Sequence, residues 1–233
     1  MRKLIALLAG AMMMMPLVAS AITIGPNGTY VESNNSLKYY DTGASSVFLT
    51  DTDGYKDSAN AFMLLELAGY AGTNKFGIYG FTQSGTTTIL GNMLEVFTGS
   101  DVVSDSTTLE FNLAAGTVTN SFTKATAMIG KNFGFYISTQ DGNTFYTHSV
   151  LNRDGQDHFK IYDTSDHQGR GLSQSDVVLG IEDLYGLGDK DFDDMVVGIT
   201  DVAPVPEPGT MVLLGFGMFG LAIYGKRRMN KDA

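Results

Sequence analysis

Residues Val177–Thr200 read VVLGIEDLYGLGDKDFDDMVVGIT. Two short apolar runs, at Val177 to Glu182 and Met195 to Thr200, flank a loop carrying six carboxylates: Glu182, Asp183, Asp189, Asp191, Asp193 and Asp194. Runs of this length, rich in β-branched residues and bounded by Gly and Asp, read as buried strands. Within the loop, Asp189, Asp191 and Asp193 stand at i, i+2 and i+4, a spacing that turns alternate oxygens toward one centre in a tight turn. Gly186 and Gly188 let the backbone curl as such a loop requires. A merely solvated acidic loop is the plain reading. Carboxylates crowded between apolar strands repel one another, however, and a hard cation with six to eight oxygen ligands relieves that repulsion. A strict EF-hand is excluded, because the twelfth position from Asp189 is Thr200, which cannot supply the bidentate carboxylate.

The rest of the chain repeats the strand-and-turn pattern. Further strands are predicted at Ser46 to Thr50, Lys75 to Phe81, Thr107 to Leu113, Asn132 to Thr139 and His158 to Asp163. Alternation is clear in Thr108-Leu109-Glu110-Phe111-Asn112-Leu113 and in Phe133-Gly134-Phe135-Tyr136-Ile137-Ser138. Turns such as Asp53-Gly54, Asp141-Gly142-Asn143 and Asp154-Gly155 separate the strands. Ala59 to Ala68 fits a helix by propensity and a doubly covered strand by composition; the strand is favoured. The expected class is all-β, with a single β-sandwich or jelly-roll-like domain over residues 22–202.

Both ends read as addresses. Arg2 and Lys3, an apolar stretch from Leu4 to Val18 and the small-residue step Ala19-Ser20-Ala21 have the layout of a signal peptide over residues 1–21. At the other end, Val205-Pro206-Glu207-Pro208 precedes an apolar run from Met211 to Gly225 and the basic stop Lys226-Arg227-Arg228. As a transmembrane helix that run is about 22 Å long, short for a hydrocarbon core of roughly 30 Å. Snorkelling of the three basic residues and local thinning accommodate the mismatch.

The whole chain carries 25 acidic and 15 basic residues, a net charge of −10. Setting aside the basic Arg2 and Lys3, and the four basic residues and Asp232 beyond Pro208, leaves 24 acidic against 9 basic residues. Nucleic acid is excluded as a partner by that balance, since phosphate neutralisation needs Lys and Arg. Cysteine and tryptophan are absent. Thiol catalysis and thiolate metal sites are therefore excluded, and any staple must be an oxygen-ligated ion. A second acidic cluster, Asp51-Thr52-Asp53-Gly54-Tyr55-Lys56-Asp57, is half of a calcium loop or a plain turn; Asp51 and Asp53 are outside candidates for metal binding. The histidines His148, His158 and His167 show no zinc-ligand spacing and read as packed or surface residues. There is no GxSxG elbow and no Gly-rich phosphate loop.

The tail resembles the PEP-CTERM sorting signal of Gram-negative bacteria, on Val205 to Pro208, Leu213-Leu214-Gly215, Gly220-Leu221 and Lys226-Arg227-Arg228. That resemblance implies recognition of Pro206, Glu207 and Pro208 by an exosortase-type enzyme, transient anchoring in the inner membrane over residues 203–233, and release to the cell surface with extracellular polysaccharide. The acidic segment resembles the C-terminal signature of the DUF4114 family, on Glu182-Asp183, Gly186, Gly188, Asp189 and Asp191-Phe192-Asp193-Asp194. Asp193 stands where Asn is more usual. Lesser likeness at Asn74 to Tyr79 and Thr147 to Phe159 extends the resemblance over about Asp51 to Thr200. It implies a β-sandwich and calcium binding, and no activity. The expectation is a secreted structural or adhesion protein with a Ca²⁺ site, not an enzyme. The alternative is a lectin-like module or a carbohydrate-active enzyme.

Overall fold

The computed structural model describes residues 22–25, 29–32, 38–52, 54–66, 72–99, 101, 105–168, 172 and 174–206. In chain order the strands are β1 (Ile22–Gly25), β2 (Thr29–Glu32), β3 (Lys38–Tyr40), β4 (Val47–Leu49), β5 (Lys56–Glu66), β6 (Lys75–Ser84), β7 (Thr87–Thr98) and β8 (Ser106–Asn112). They continue as β9 (Thr117–Asn120), β10 (Thr126–Met128), β11 (Asn132–Ser138), β12 (Thr144–Tyr146), β13 (Phe159–Asp163), β14 (Val177–Ile181), β15 (Met195–Ile199) and β16 (Val202–Pro204). One 3₁₀ turn at Ser149–Leu151 is the sole helical element among the described residues. The all-β expectation holds. The seven predicted strands are present with ends moved by no more than one residue, except β6, which runs on to Ser84.

Two antiparallel sheets carry the fold. One is ordered β10-β9-β8-β5-β15-β14-β13 and the other β16-β4-β11-β6-β7, with β12 paired to β11. They share one core. Ala59, Ala61 and Met63 of β5, Leu109 and Phe111 of β8, and Leu179 and Val197 meet Val47, Phe76, Ile78, Phe133 and Phe135 of the second sheet. With no tryptophan to fill the interior, phenylalanines do so. Phe97, Phe76, Phe135 and Phe133 follow one another at centroid distances of 6.2, 5.9 and 5.6 Å, and Phe133 reaches Phe111 of the facing sheet at 5.5 Å. These separations lie in the favourable range for aromatic pairs.

The burial of β5 decides its ambiguous sequence. Ala59, Ala61 and Met63 enter the common core at a period of two, while Leu64 and Leu65 pack on the other side. β14 and β15 are likewise buried on both faces along their whole length. Their outer face is covered by a second cluster in which Val178 and Val196 meet Ile24, Tyr39, Tyr162, Leu172 and Phe192. The small β1-β2-β3 sheet supplies Ile24 and Tyr39 to this layer. Double coverage is why VVLGI and MVVGI are continuous apolar runs rather than alternating ones.

On the outer face of the second sheet, Gly77 pairs with Tyr136 and Gly134 with Tyr79. Each tyrosine ring lies over the facing glycine. A Cβ on Gly134 would meet the Tyr79 ring at 2.5 Å, and one on Gly77 would meet both the Tyr136 ring and the Leu94 carbonyl oxygen. The close approach, not a turn, requires glycine here. Gly77→Ala is expected to destabilise the domain by about 1–3 kcal/mol, the usual cost of overpacking. Urea unfolding checks this; an unchanged midpoint would contradict the reciprocal Tyr–Gly packing.

Candidate metal centre

The acidic loop from Glu182 to Asp194 joins two adjacent buried strands, and it folds back over the first of them. Gly180 makes this geometry accessible: a Cβ there would meet Ile24 Cδ1 at 2.7 Å and the Phe192 carbonyl oxygen at 2.9 Å. The Ile181 N–H donates to that same Phe192 oxygen at 3.1 Å. Phe192 itself is buried in the outer cluster, with the Lys160 ammonium 5.1 Å from its ring centroid. An aromatic between two loop aspartates therefore acts as the anchor that pins the loop to the sheet. Leu187, Lys190 and Phe192 all have positive φ, at 69°, 65° and 60°. Such conformations are costly for residues with a Cβ and persist only where the surroundings over-determine them.

The loop brings carboxylates together. Oxygens of Glu182, Asp189 and Asp191 all lie within 4.8 Å of one another. Glu182 is fully buried, Asp191 half-buried and Asp189 exposed, so the cluster runs from the interior to the surface. Glu182 Oε1 accepts the Phe192 N–H at 2.9 Å. Among the described residues, Glu182 Oε2 has no hydrogen-bond partner despite being buried. Burial, reinforced by the charges of Asp189 and Asp191, pushes the Glu182 carboxyl above its ordinary value, against the pull of the Phe192 N–H.

The remaining loop carboxylates are crowded too. Burial, then contact with Asp191 and the charge of Asp189, push Asp193 up to about 6. Burial, with the neighbouring charges of Asp183 and Glu182, pushes Asp194 up to about 7. Asp194 Oδ2 accepts the Asp183 N–H at 3.0 Å, and Asp183 Oδ2 accepts from Asn74 Nδ2 at 2.8 Å.

A second pair braces the loop from outside. His158 is fully buried, stacked on Phe145 at 3.6 Å. Its Nδ1 donates to the Glu182 carbonyl oxygen at 2.9 Å, and its Nε2 lies 2.9 Å from Asp154 Oδ2. Both partners are acceptors. Asp154 Oδ2 also accepts the Gly186 N–H at 2.9 Å, so one carboxylate grips the loop at its glycine turn. The Gly186 and His158 hydrogen bonds outweigh burial and lower the Asp154 carboxyl. The reading of the histidines as packed residues bonded to neighbours matches this geometry. His148 Nδ1 lies 2.6 Å from the Tyr79 hydroxyl, and His167 Nε2 lies 2.7 Å from Asp176 Oδ1.

Asp51 is not brought to the loop. It follows β4, whose neighbour Thr50 donates to the Asp201 carbonyl oxygen, at the far end of β15 from Met195. A five-residue strand, about 16 Å at roughly 3.3 Å per residue, separates that end from the acidic loop. Asp51 instead lines a cleft with Lys56, Asp57 and Glu110. The expectation of Asp51 as an outside candidate for metal binding is corrected as far as the loop is concerned: strand direction places Asp51 at the opposite end of β15 from it. Asp53 lies outside the described residues. So do the signal peptide, the predicted membrane helix, and Glu207, Pro208, Lys226, Arg227 and Arg228 of the sorting motif; Pro206 is exposed. Among the described residues, no helix is long and apolar enough to cross a membrane.

Asp154 and Asn74 carry no signal within the acidic motif. They reach it only through the fold.

Residues 104–201 match the family model of DUF4114, a domain of unknown function. Residues 204–228 match the PEP-CTERM protein-sorting motif. No curated protein and no solved structure matches the chain. The DUF4114 match contains the whole acidic loop but begins well after Asp51, so Asn74 to Tyr79 fall outside it. In the fold, β5 lies between β8 and β15, so residues preceding the match complete the sheet that bears the loop. The PEP-CTERM match spans Pro206, Glu207, Pro208 and the three basic residues. It supports export by an exosortase-type system and indicates the envelope or surface of a Gram-negative bacterium.

Raised carboxyls have a direct consequence for stability. An unfolded Asp titrates near 3.9, whereas Asp193 and Asp194 hold their protons to about 6 and 7. Between these values the folded state binds more protons than the unfolded chain, so stability falls as pH rises. In chelator, the urea midpoint is expected to drop between pH 5 and pH 7. The Asp193→Asn, Asp194→Asn double variant should flatten that slope, and an unchanged slope would contradict the crowding.

Proposed function

We propose that this protein is a secreted surface or extracellular-matrix component with a structural or adhesive role, whose β-sandwich is stabilised by Ca²⁺. Glu182, Asp189 and Asp191 would hold the ion, and what it supplies is neutralisation of the crowded carboxylates. The observation that carries this reading is Glu182 Oε2, a carboxyl oxygen that is buried, without a hydrogen-bond partner among the described residues, and convergent with two further carboxylates. An isolated buried charge is strongly unfavourable unless it is paired or coordinates a metal. The donor set is all oxygen, the preference of a hard cation. A chain bearing an export tail meets calcium outside the cell, where even sites of 10⁻⁴–10⁻³ M affinity fill. The same arrangement supports a non-catalytic role. Glu182 is tied to the Phe192 N–H and Asp194 to the Asp183 N–H, so neither stands as a free acid–base group facing a cleft.

Thermal melts with Ca²⁺ and with chelator test this. At 100-fold excess over the dissociation constant, a bound ligand adds about 2.7 kcal/mol. For a domain of this size that is about 5–10 °C in Tm. Glu182→Gln is expected to abolish the gain. In chelator the variant should be no less stable than the parent, because the substitution removes an uncompensated charge. An identical Tm with and without Ca²⁺ would overturn the proposal.

One observation favours the lectin-like alternative. Leu184 and Tyr185 are exposed on the acidic loop itself, Tyr185 at 55 %. An exposed aromatic beside an ion site is a surface on which a sugar ring stacks. Under that reading, Tyr185→Ala weakens Ca²⁺-dependent retention on an acidic exopolysaccharide column at least tenfold while leaving the Ca²⁺-induced Tm shift intact. Equal retention would leave the structural role alone.

A further inference from the structure

Asn74 stands immediately before β6, and its side chain is fully buried. Its amide faces the acidic loop: Nδ2 donates to Asp183 Oδ2 at 2.8 Å. Among the described residues, Asn74 Oδ1 has no hydrogen-bond partner. Leaving such an acceptor buried and unmatched is unfavourable. Asp183, 2 % exposed, lies against Asp194, which takes the Asp183 N–H on Oδ2. Among the described residues, no Lys, Arg or His pairs with Asp183 or Asp194. The buried Asp183 therefore has a buried amide with an idle oxygen on one side and the half-buried Asp194 on the other, with no basic side chain paired to either carboxylate among the described residues. Neither Asp183 nor Asp194 belongs to the convergent Glu182, Asp189 and Asp191 set.

We propose a second cation position, held by Asn74, Asp183 and Asp194, beside the one assigned to Glu182, Asp189 and Asp191. Amide and carboxylate oxygens suit a hard divalent ion, and Ca²⁺ takes both. The two positions act on different parts of the fold. Glu182, Asp189 and Asp191 all lie in one loop, so the first ion closes that loop on itself. Asp183 and Asp194 flank β14 and β15 of the seven-stranded sheet, whereas Asn74 leads into β6 of the facing sheet. The second ion ties the two sheets together at one end of the sandwich. It is a clamp between layers.

This inference rests on the proposed calcium reading of the loop, and ion stoichiometry separates the two. The full-length chain is stripped with chelator, dialysed against Ca²⁺ and analysed for bound metal. Two ions per chain are expected, falling to one in Asn74→Ala and to one in Glu182→Gln. Asn74→Asp, which keeps an oxygen at the position, should retain both ions, and its folding should become dependent on Ca²⁺. Circular dichroism confirms that each variant is folded. A single ion in the parent, lost in Glu182→Gln and indifferent to Asn74, would overturn the second position and leave the first. Two ions retained by Asn74→Ala, or one ion in Asn74→Asp, would overturn it as well. No bound ion in the parent would overturn both.

Discussion

Uncompensated negative charge at the end of β14 and β15 is the constraint around which the structure is arranged. Glu182 is fully buried, and one of its oxygens meets no donor among the described residues. Around it the loop concentrates five more carboxylates, two of them titrating far above their ordinary range. The Phe192 N–H serves Oε1 of Glu182, and the Asp183 N–H serves Oδ2 of Asp194. Removing one partner from a buried ionic network is strongly unfavourable. Among the described residues no Lys or Arg pairs with these carboxylates, and the proposed cation would supply that counter-charge.

The supports of that loop come from distant parts of the chain. Phe192 anchors it in the outer hydrophobic layer, over a glycine that leaves room for its backbone. His158 and Asp154 hold it from the β13 side, and Asn74 reaches it from the facing sheet. Non-glycine residues in left-handed conformations persist because these contacts fix the path. The loop is thus a rigid shelf on two central strands rather than a free surface turn, and it presents Tyr185 outward beside its charges.

The export tail and the acidic loop belong to different matches, yet each bears on the other. β16, the last described strand, pairs with β4 in the six-stranded sheet, and Val205 N–H still donates to the Ser46 carbonyl oxygen. The sorting-motif match begins at residue 204, within β16 itself.

By itself the sequence determined the strands that are apolar on a regular period, the turns between them, the acidic loop and the sorting tail. Local chemistry dictates each of these. Strand β7 was not legible, because most of its outer half is exposed and its pairing with β6 is broken by register shifts, which erase the period of two. β5 was ambiguous until its two faces found different neighbours. Of the candidate ligands, the three that converge were in the quoted motif, but nothing local distinguished Glu182, Asp189 and Asp191 from Asp183, Asp193 and Asp194. Asn74, 109 residues from Asp183, and Asp154, 32 residues from Gly186, join the site only because the sheets stack. Only the tertiary structure decided which carboxylates share a place, and that Asp51 does not. Composition fixes how many charges a chain carries, whereas strand direction and layer packing decide which of them are buried together.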